Sequence, residues 1–262
     1  MAVLESFAFW FAVITAASLA LFFATGTWLT WLNRRHEDRR IQRRKGEHRI
    51  AKDIRSSVIE LTISAALFAF GVALREQGYG VPVIEGWVST IIAFGLLLLA
   101  YDAWFYWTHR LLHVKWLYRF HAPHHRAVAP TAWSNDAGGS VDTIIAQGFF
   151  MWATILTPAP LVALFAHRAF DQVTGMIGHC GFEHFADRSM RRPFPLICTI
   201  YHDQHHSSFN YNYANYFSWW DRWCGTVHPK YDTLVEEREA ALAGGAPSPA
   251  GADTKATAEG AR

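Results

Sequence analysis

Cysteine is scarce in this chain. Its three cysteines, Cys180, Cys198 and Cys224, form no Cys-x-x-Cys unit, which argues against a disulfide framework and a thiolate zinc site. Charge is also scarce, at 18% of residues, and is missing altogether from Ser6 to Asn33. A charge-free run of that length exceeds the about 20 residues that a bilayer span needs. The stretch Met1-Ala-Val-Leu-Glu5 has no Lys or Arg. The apolar run behind it is too long for a cleavable signal, so none is expected. No internal repeat is evident beyond the reuse of His-x-x-His-His. The net charge of +2 excludes little, because the cations are clustered.

What is present is arranged in blocks. Arg34 to Arg55 carries ten Lys or Arg against four Asp or Glu. By the positive-inside rule this loop is cytoplasmic and the N-terminus lies outside. A second span is expected from Ser56 to Leu74, an exterior turn over Arg75–Gly86, and a third span from Trp87 that runs on into His109. Val141 to Gly178 is apolar again but is divided by Pro158-Ala-Pro160. Proline ends or kinks a helix, so this stretch is expected to form two antiparallel helices or a re-entrant hairpin. Its second half holds His167, Arg168, Asp171 and Gln172, which must be shielded by protein or lie shallow in the membrane. Trp219, Trp220 and Trp223 are expected to sit at headgroups. The chain reads as an all-α membrane protein of three to four hydrophobic helical units with a cytoplasmic histidine-rich cap. Residues 1–55 form the first span and basic loop, 56–235 the catalytic domain, and 236–262 a disordered Ala/Gly/Pro/Glu tail.

Ten of the fourteen histidines fall in four clusters: His109 and His113; His121, His124 and His125; His179 and His184; His202, His205 and His206. Imidazole is a common neutral ligand for Fe, Cu, Ni and Zn, and ten are too many for one ion. His109 and His113 are four apart and share a helix face. The same spacing recurs in the second and fourth clusters. His179 and His184, five apart, match one face poorly and belong where the hairpin ends. Ligating histidines usually donate their other N–H to a carboxylate or carbonyl. Asp102, Glu183, Asp203 and Asp221 are the candidates, with Asp102 alternatively a buried polar group near the interface. Two octahedral ions offer about twelve positions, so eight to ten imidazoles leave a few open for dioxygen or water. Such a site favours redox iron over closed structural zinc. His36 and His48 read as solvated, His167 as a hydrogen-bonding residue, and His228 as outside the metal site.

His109-Arg-Leu-Leu-His113, His121-Ala-Pro-His-His125 and His202-Asp-Gln-His-His206 resemble the histidine boxes of the sterol desaturase and fatty acid hydroxylase superfamily. Trp116-Leu-Tyr-Arg-Phe-His121 and the run from Ser207 to Thr226 are similar to it as well. The resemblance spans about Leu99 to Thr226. It implies a membrane di-iron oxygenase with O2 as co-substrate and electrons from a separate ferredoxin- or cytochrome b5-like carrier. Zinc can replace iron in purified protein. The expected reaction is hydroxylation or desaturation of an unactivated C–H bond in a sterol-like or acyl lipid drawn from the bilayer. A carotenoid or lipid-headgroup hydroxylase is the alternative. A metal transporter or sensor is the reading from another class, and its ligands should lie near the bilayer midplane. Nucleic-acid binding is not expected, because the basic cluster adjoins a span.

Overall fold

The computed structural model describes residues 3–244. Uninterrupted apolar sequence gives three long helices, α1 (Val3–Arg35), α2 (Ile50–Glu76) and α3 (Trp87–Leu112), each long and apolar enough to cross a membrane. At 1.5 Å per residue they run about 50, 40 and 39 Å, whereas a hydrocarbon core is about 30 Å thick. The helices are therefore longer than such a core, and His109 lies in the last turn of α3. On α1 and α3 large apolar side chains such as Phe9, Phe23, Ile91 and Leu96 are exposed, as befits lipid contact. α2 is central, and Leu61, Ala65, Phe68 and Val72 are buried along it. Among the described residues there is no strand, only isolated bridges such as Arg40 with Phe182.

The divided apolar stretch forms two helices, α5 (Ser140–Leu156) and α6 (Leu161–Gly178), separated at the expected prolines. Their connection is pinned to the α2–α3 turn. Val81 N–H donates to Ile155 O at 2.9 Å, and Ile84 N–H to Pro158 O at 3.0 Å. Gly80 makes this approach possible, since its φ is +127° and a Cβ there would fall 2.6 Å from Ile155 O. The hairpin thus reaches the far ends of the spans. Its polar residues are shielded by protein: His167, Arg168, Asp171 and Gln172 are all buried. Gln172 donates to Ser18 O at 2.8 Å, and Tyr216 Oη donates to Asp171 at 2.9 Å while lying 3.4 Å from His167.

Beyond the spans, α4 (Tyr118–His121), α7 (Thr199–Ser208), α8 (Trp219–Cys224) and α9 (Tyr231–Leu242) build the cap. The basic loop is part of it, not merely a topology signal. Ile41 N–H donates to Gly181 O and Glu183 N–H to Arg39 O. Gln42 Nε2 donates to Pro130 O and to Asp203. Two expectations change. α9 continues through Glu236 to Leu242, because Val235 is buried and Arg191 holds Glu239 at 3.0 Å; the tail residues after 244 lie outside the described residues. The tryptophans divide: Trp219 donates to Asp102 at 3.1 Å and Trp220 stacks on Tyr106, while Trp223 is exposed.

Candidate metal centre

Nine of the ten clustered histidines converge into two groups. His109, His113, His121, His125 and His205 form one; His124, His179, His202 and His206 form the other. Within each group the nearest nitrogens lie within 4.8 Å of one another. The two His-x-x-His-His motifs play complementary parts. In the first, His121 and His125 enter the five-membered group and His124 the other. In the second, His202 and His206 enter the four-membered group and His205 the other. On α7 this follows from helix geometry, because residues four apart share a face and the one between is rotated off it. Residues 121–125 instead form no single helix. α4 stops at His121, and a separate tight turn begins at His124, after Pro123. The His121 and His125 rings still lie 4.7 Å apart.

The donor set fits metal. Carbonyl oxygens can only accept, so the tautomers of four rings are fixed. His109 Nδ1 donates to Tyr213 O at 2.8 Å, His124 Nδ1 to Ala137 O at 3.1 Å, His179 Nδ1 to Gly175 O at 2.8 Å and His205 Nδ1 to Tyr211 O at 2.7 Å. His121 Nδ1 faces Asp142 Oδ2 at 2.7 Å. The Nε2 lone pairs of these rings then point at one another: His109 and His121 at 3.0 Å, His124 and His179 at 3.3 Å. Lone pairs in that arrangement repel unless a cation lies between them. Two ligands at right angles on an ion with bonds of about 2.1 Å lie about 3.0 Å apart, which matches. Burial first, and then the neighbouring imidazoles, push His113 and His179 down to about 3 and His124 to about 4. The same causes lower His125, His202, His205 and His206. These shifts favour the neutral imidazoles that a metal ion requires.

His184 does not join either group. His179 closes α6, the chain reverses at Gly181 with φ +74°, and His184 turns toward α1, where its Nε2 lies 2.9 Å from Asn33 Oδ1. The four carboxylates expected to support ligands do something else; among the described residues none bonds an imidazole. Asp102 accepts from the Tyr216 and Phe217 N–H groups and from Trp219. Glu183 accepts from Ile200 N–H, satisfying the start of α7. Asp203 holds Gln42 at 2.6 Å. Asp221 accepts from the N–H groups of Tyr213 and Ala214 and from the hydroxyls of Tyr201 and Thr226. It thereby sets the loop whose carbonyls orient His109 and His205. The carboxylate that does meet a ring, Asp142, was missed. In the sequence it is only an acid at the mouth of the hairpin, six residues after Asp136. Asp142→Asn is expected to weaken metal binding at the five-membered group about 10–100-fold and spare the other. Cobalt titration of metal-free protein, with two resolved affinities, checks this; two unchanged affinities would contradict it.

A cavity of about 330 Å³ adjoins both groups. Leu98, Phe105, Leu112, Phe170 and Ile177 line it together with His109, His121, His124, His179 and His202. Leu98 lies eleven residues before His109 on α3, about 16 Å along the helix. His167 lies outside both groups, so no imidazole of the hairpin interior adds a ligand.

The fatty acid hydroxylase family matches residues 94–226, half of the chain. Methylsterol monooxygenase 1 of Gallus gallus is 32% identical over 126 residues, 48% of this chain and 42% of that protein. The cholesterol 25-hydroxylase-like protein of Danio rerio is 33% identical over 136 residues, 50% of this chain and 53% of that protein. Lathosterol oxidase of Mus musculus is 31% identical over 147 residues, 55% and 48%. The chain thus spans about half the length of the curated relatives it matches. No solved structure matches it.

Proposed function

This chain belongs to the fatty acid hydroxylase family, and from that premise we propose that it is a membrane-bound oxygenase placing a hydroxyl on an unactivated C–H bond of a lipid. The balance is one C–H bond, one O2, two electrons and two protons giving C–OH and water. The observation that carries this reading is the cavity that joins span-level apolar side chains to both histidine groups. Its size suits a ligand site. Nine imidazoles would hold two iron ions, one per group. Bound iron supplies the reduction of dioxygen and the oxidising power. The protein's own work is positional. Backbone carbonyls and Asp142 aim the Nε2 atoms inward, and the Leu98–Phe105–Leu112 wall of α3 holds an apolar chain and keeps water out. A sterol or acyl lipid fits that wall. The clusters flank the ends of spans rather than their midplane, which disfavours a transporter.

The test is a lipid extract from cells expressing the protein under ¹⁸O2, compared with cells lacking it. One labelled oxygen in a single lipid class supports hydroxylation. A product lacking two hydrogens and unlabelled would mark desaturation, and no change would sink the oxygenase reading. We place the histidine cap and the C-terminus in the cytoplasm and the N-terminus outside. Tyr79, 61% exposed on the α2–α3 turn, and the exposed Asn210 report opposite sides. With an impermeant thiol reagent on intact cells, Tyr79→Cys should label and Asn210→Cys should not. The reverse pattern overturns the orientation.

A further inference from the structure

The wall of the cavity carries polar groups that the metal centre does not use. Glu60 on α2 and Gln147 on α5 both line it, and Glu60 is only 5% exposed. Glu60 Oε1 accepts from Ser140 Oγ at 3.2 Å. Its Oε2 is buried and has no hydrogen-bond partner among the described residues. Gln147 Nε2 donates to Tyr101 Oη at 3.0 Å and to Asp171 at 3.5 Å, which leaves its Oε1 buried and unpartnered too. The other acids of the wall are engaged: Asp142 with His121, Asp171 with Tyr216 and Asn215, Asp136 with Asn135. Buried acceptors left unpaired are costly, and an acid on a span helix points to a function. Glu60 also lies outside the family match at 94–226, so the histidine motifs do not account for it.

Both free atoms are acceptors, so a ligand that satisfies them is a donor. Glu60 offers the stronger one, since a carboxylate makes the shorter and firmer hydrogen bonds. The terminal torsion of Glu is broad, so its oxygens can turn toward a donor in the cavity. Ser140, which Glu60 holds, opens α5, and Asp142, two residues on, meets His121. Glu60 and the five-membered group are thus tied to the same first turn. An ammonium brings three donors and a charge, which a wall with Leu98, Phe105 and Phe170 does not welcome. One neutral O–H suits it. We propose that Glu60 binds the hydroxyl of a lipid alcohol and so selects that alcohol over the matching ether or hydrocarbon. This rests on the proposed oxygenase reaction and narrows its substrate class.

The test uses the full chain, iron-loaded and anaerobic, in nanodiscs of neutral lipid. The radiolabelled probes have two bodies, a hexadecyl chain and a steroid ring system. Each is supplied as the alcohol, its methyl ether and the hydrocarbon, and hexadecylamine is added. Retention on immobilised nanodiscs, corrected for empty ones, gives the affinities. In at least one body the wild type should bind the alcohol at least about tenfold more tightly than the ether and the hydrocarbon, because a site built to bond a hydroxyl rejects analogues lacking it. Glu60→Leu should erase that preference through loss of alcohol affinity alone. Ether and hydrocarbon binding, iron content and melting temperature should hold. Glu60→Gln keeps the shape and one acceptor oxygen and should fall between; it carries the test if Glu60→Leu melts early. Equal wild-type affinity for the three probes in both bodies overturns the proposal. So does a loss in both Glu60 variants shared by all three probes, or a loss of preference in Gln147→Leu but not in either Glu60 variant. Tighter binding of hexadecylamine than of hexadecan-1-ol overturns it as well, in favour of a cationic donor. Selective alcohol binding alongside no labelled product in the ¹⁸O2 comparison would overturn the reaction instead, because binding needs no turnover.

Discussion

His205→Ala is expected to abolish turnover and to lower bound iron from about two per chain toward one. His205 is fully buried, its Nε2 lies 3.1 Å from that of His125, and Tyr211 O fixes its tautomer. Alanine would remove an imidazole that no neighbour can replace, since the adjacent His206 faces the other group. His184→Ala is the matched control. Although its sequence cluster is shared with His179, it faces Asn33, and both iron and turnover should be retained. Metal analysis and turnover on the purified variants check both. Loss of iron in His184→Ala, or normal turnover in His205→Ala, would contradict the assignment of ligands.

Asp221→Ala is expected to be the most damaging substitution to the fold that leaves every ligand in place. The carboxylate is fully buried and accepts from two backbone N–H groups and two hydroxyls. Leaving those donors unpaired costs about 3–5 kcal/mol. Residues 211–214 would lose their anchor, and with them the carbonyls that orient His109 and His205. Melting of the metal-free protein separates the two kinds of loss. Asp221→Ala should melt well below the wild type without metal, whereas His205→Ala should melt close to it. Equal metal-free stability for Asp221→Ala would refute the loop-setting role.

The spans and the divided hairpin were legible because each is a local property: consecutive apolar residues, a charge-free run, a Pro-Ala-Pro break. So was the concentration of histidines at span ends. The partition of the imidazoles was not, because it depends on which tertiary neighbours face each ring. Spacing placed His179 with His184, but the left-handed turn at Gly181 separates them. Spacing also put Asp203 beside a ligand, yet Gln42, 161 residues away in sequence, takes it. The supporting groups are mostly backbone carbonyls, which no residue type announces. Asp142 is a side chain and could have been noticed, but nothing in its neighbourhood marks it as facing His121.

Two groups of imidazoles, each holding one iron ion, are proposed to act together on a lipid. Metal-free protein titrated anaerobically with Fe²⁺, then assayed for lipid oxygenation at each addition, tests it most directly. Activity should rise to a break at about two Fe per chain. Full activity at one equivalent, or stoichiometric zinc binding with no iron-dependent activity at any ratio, would contradict it.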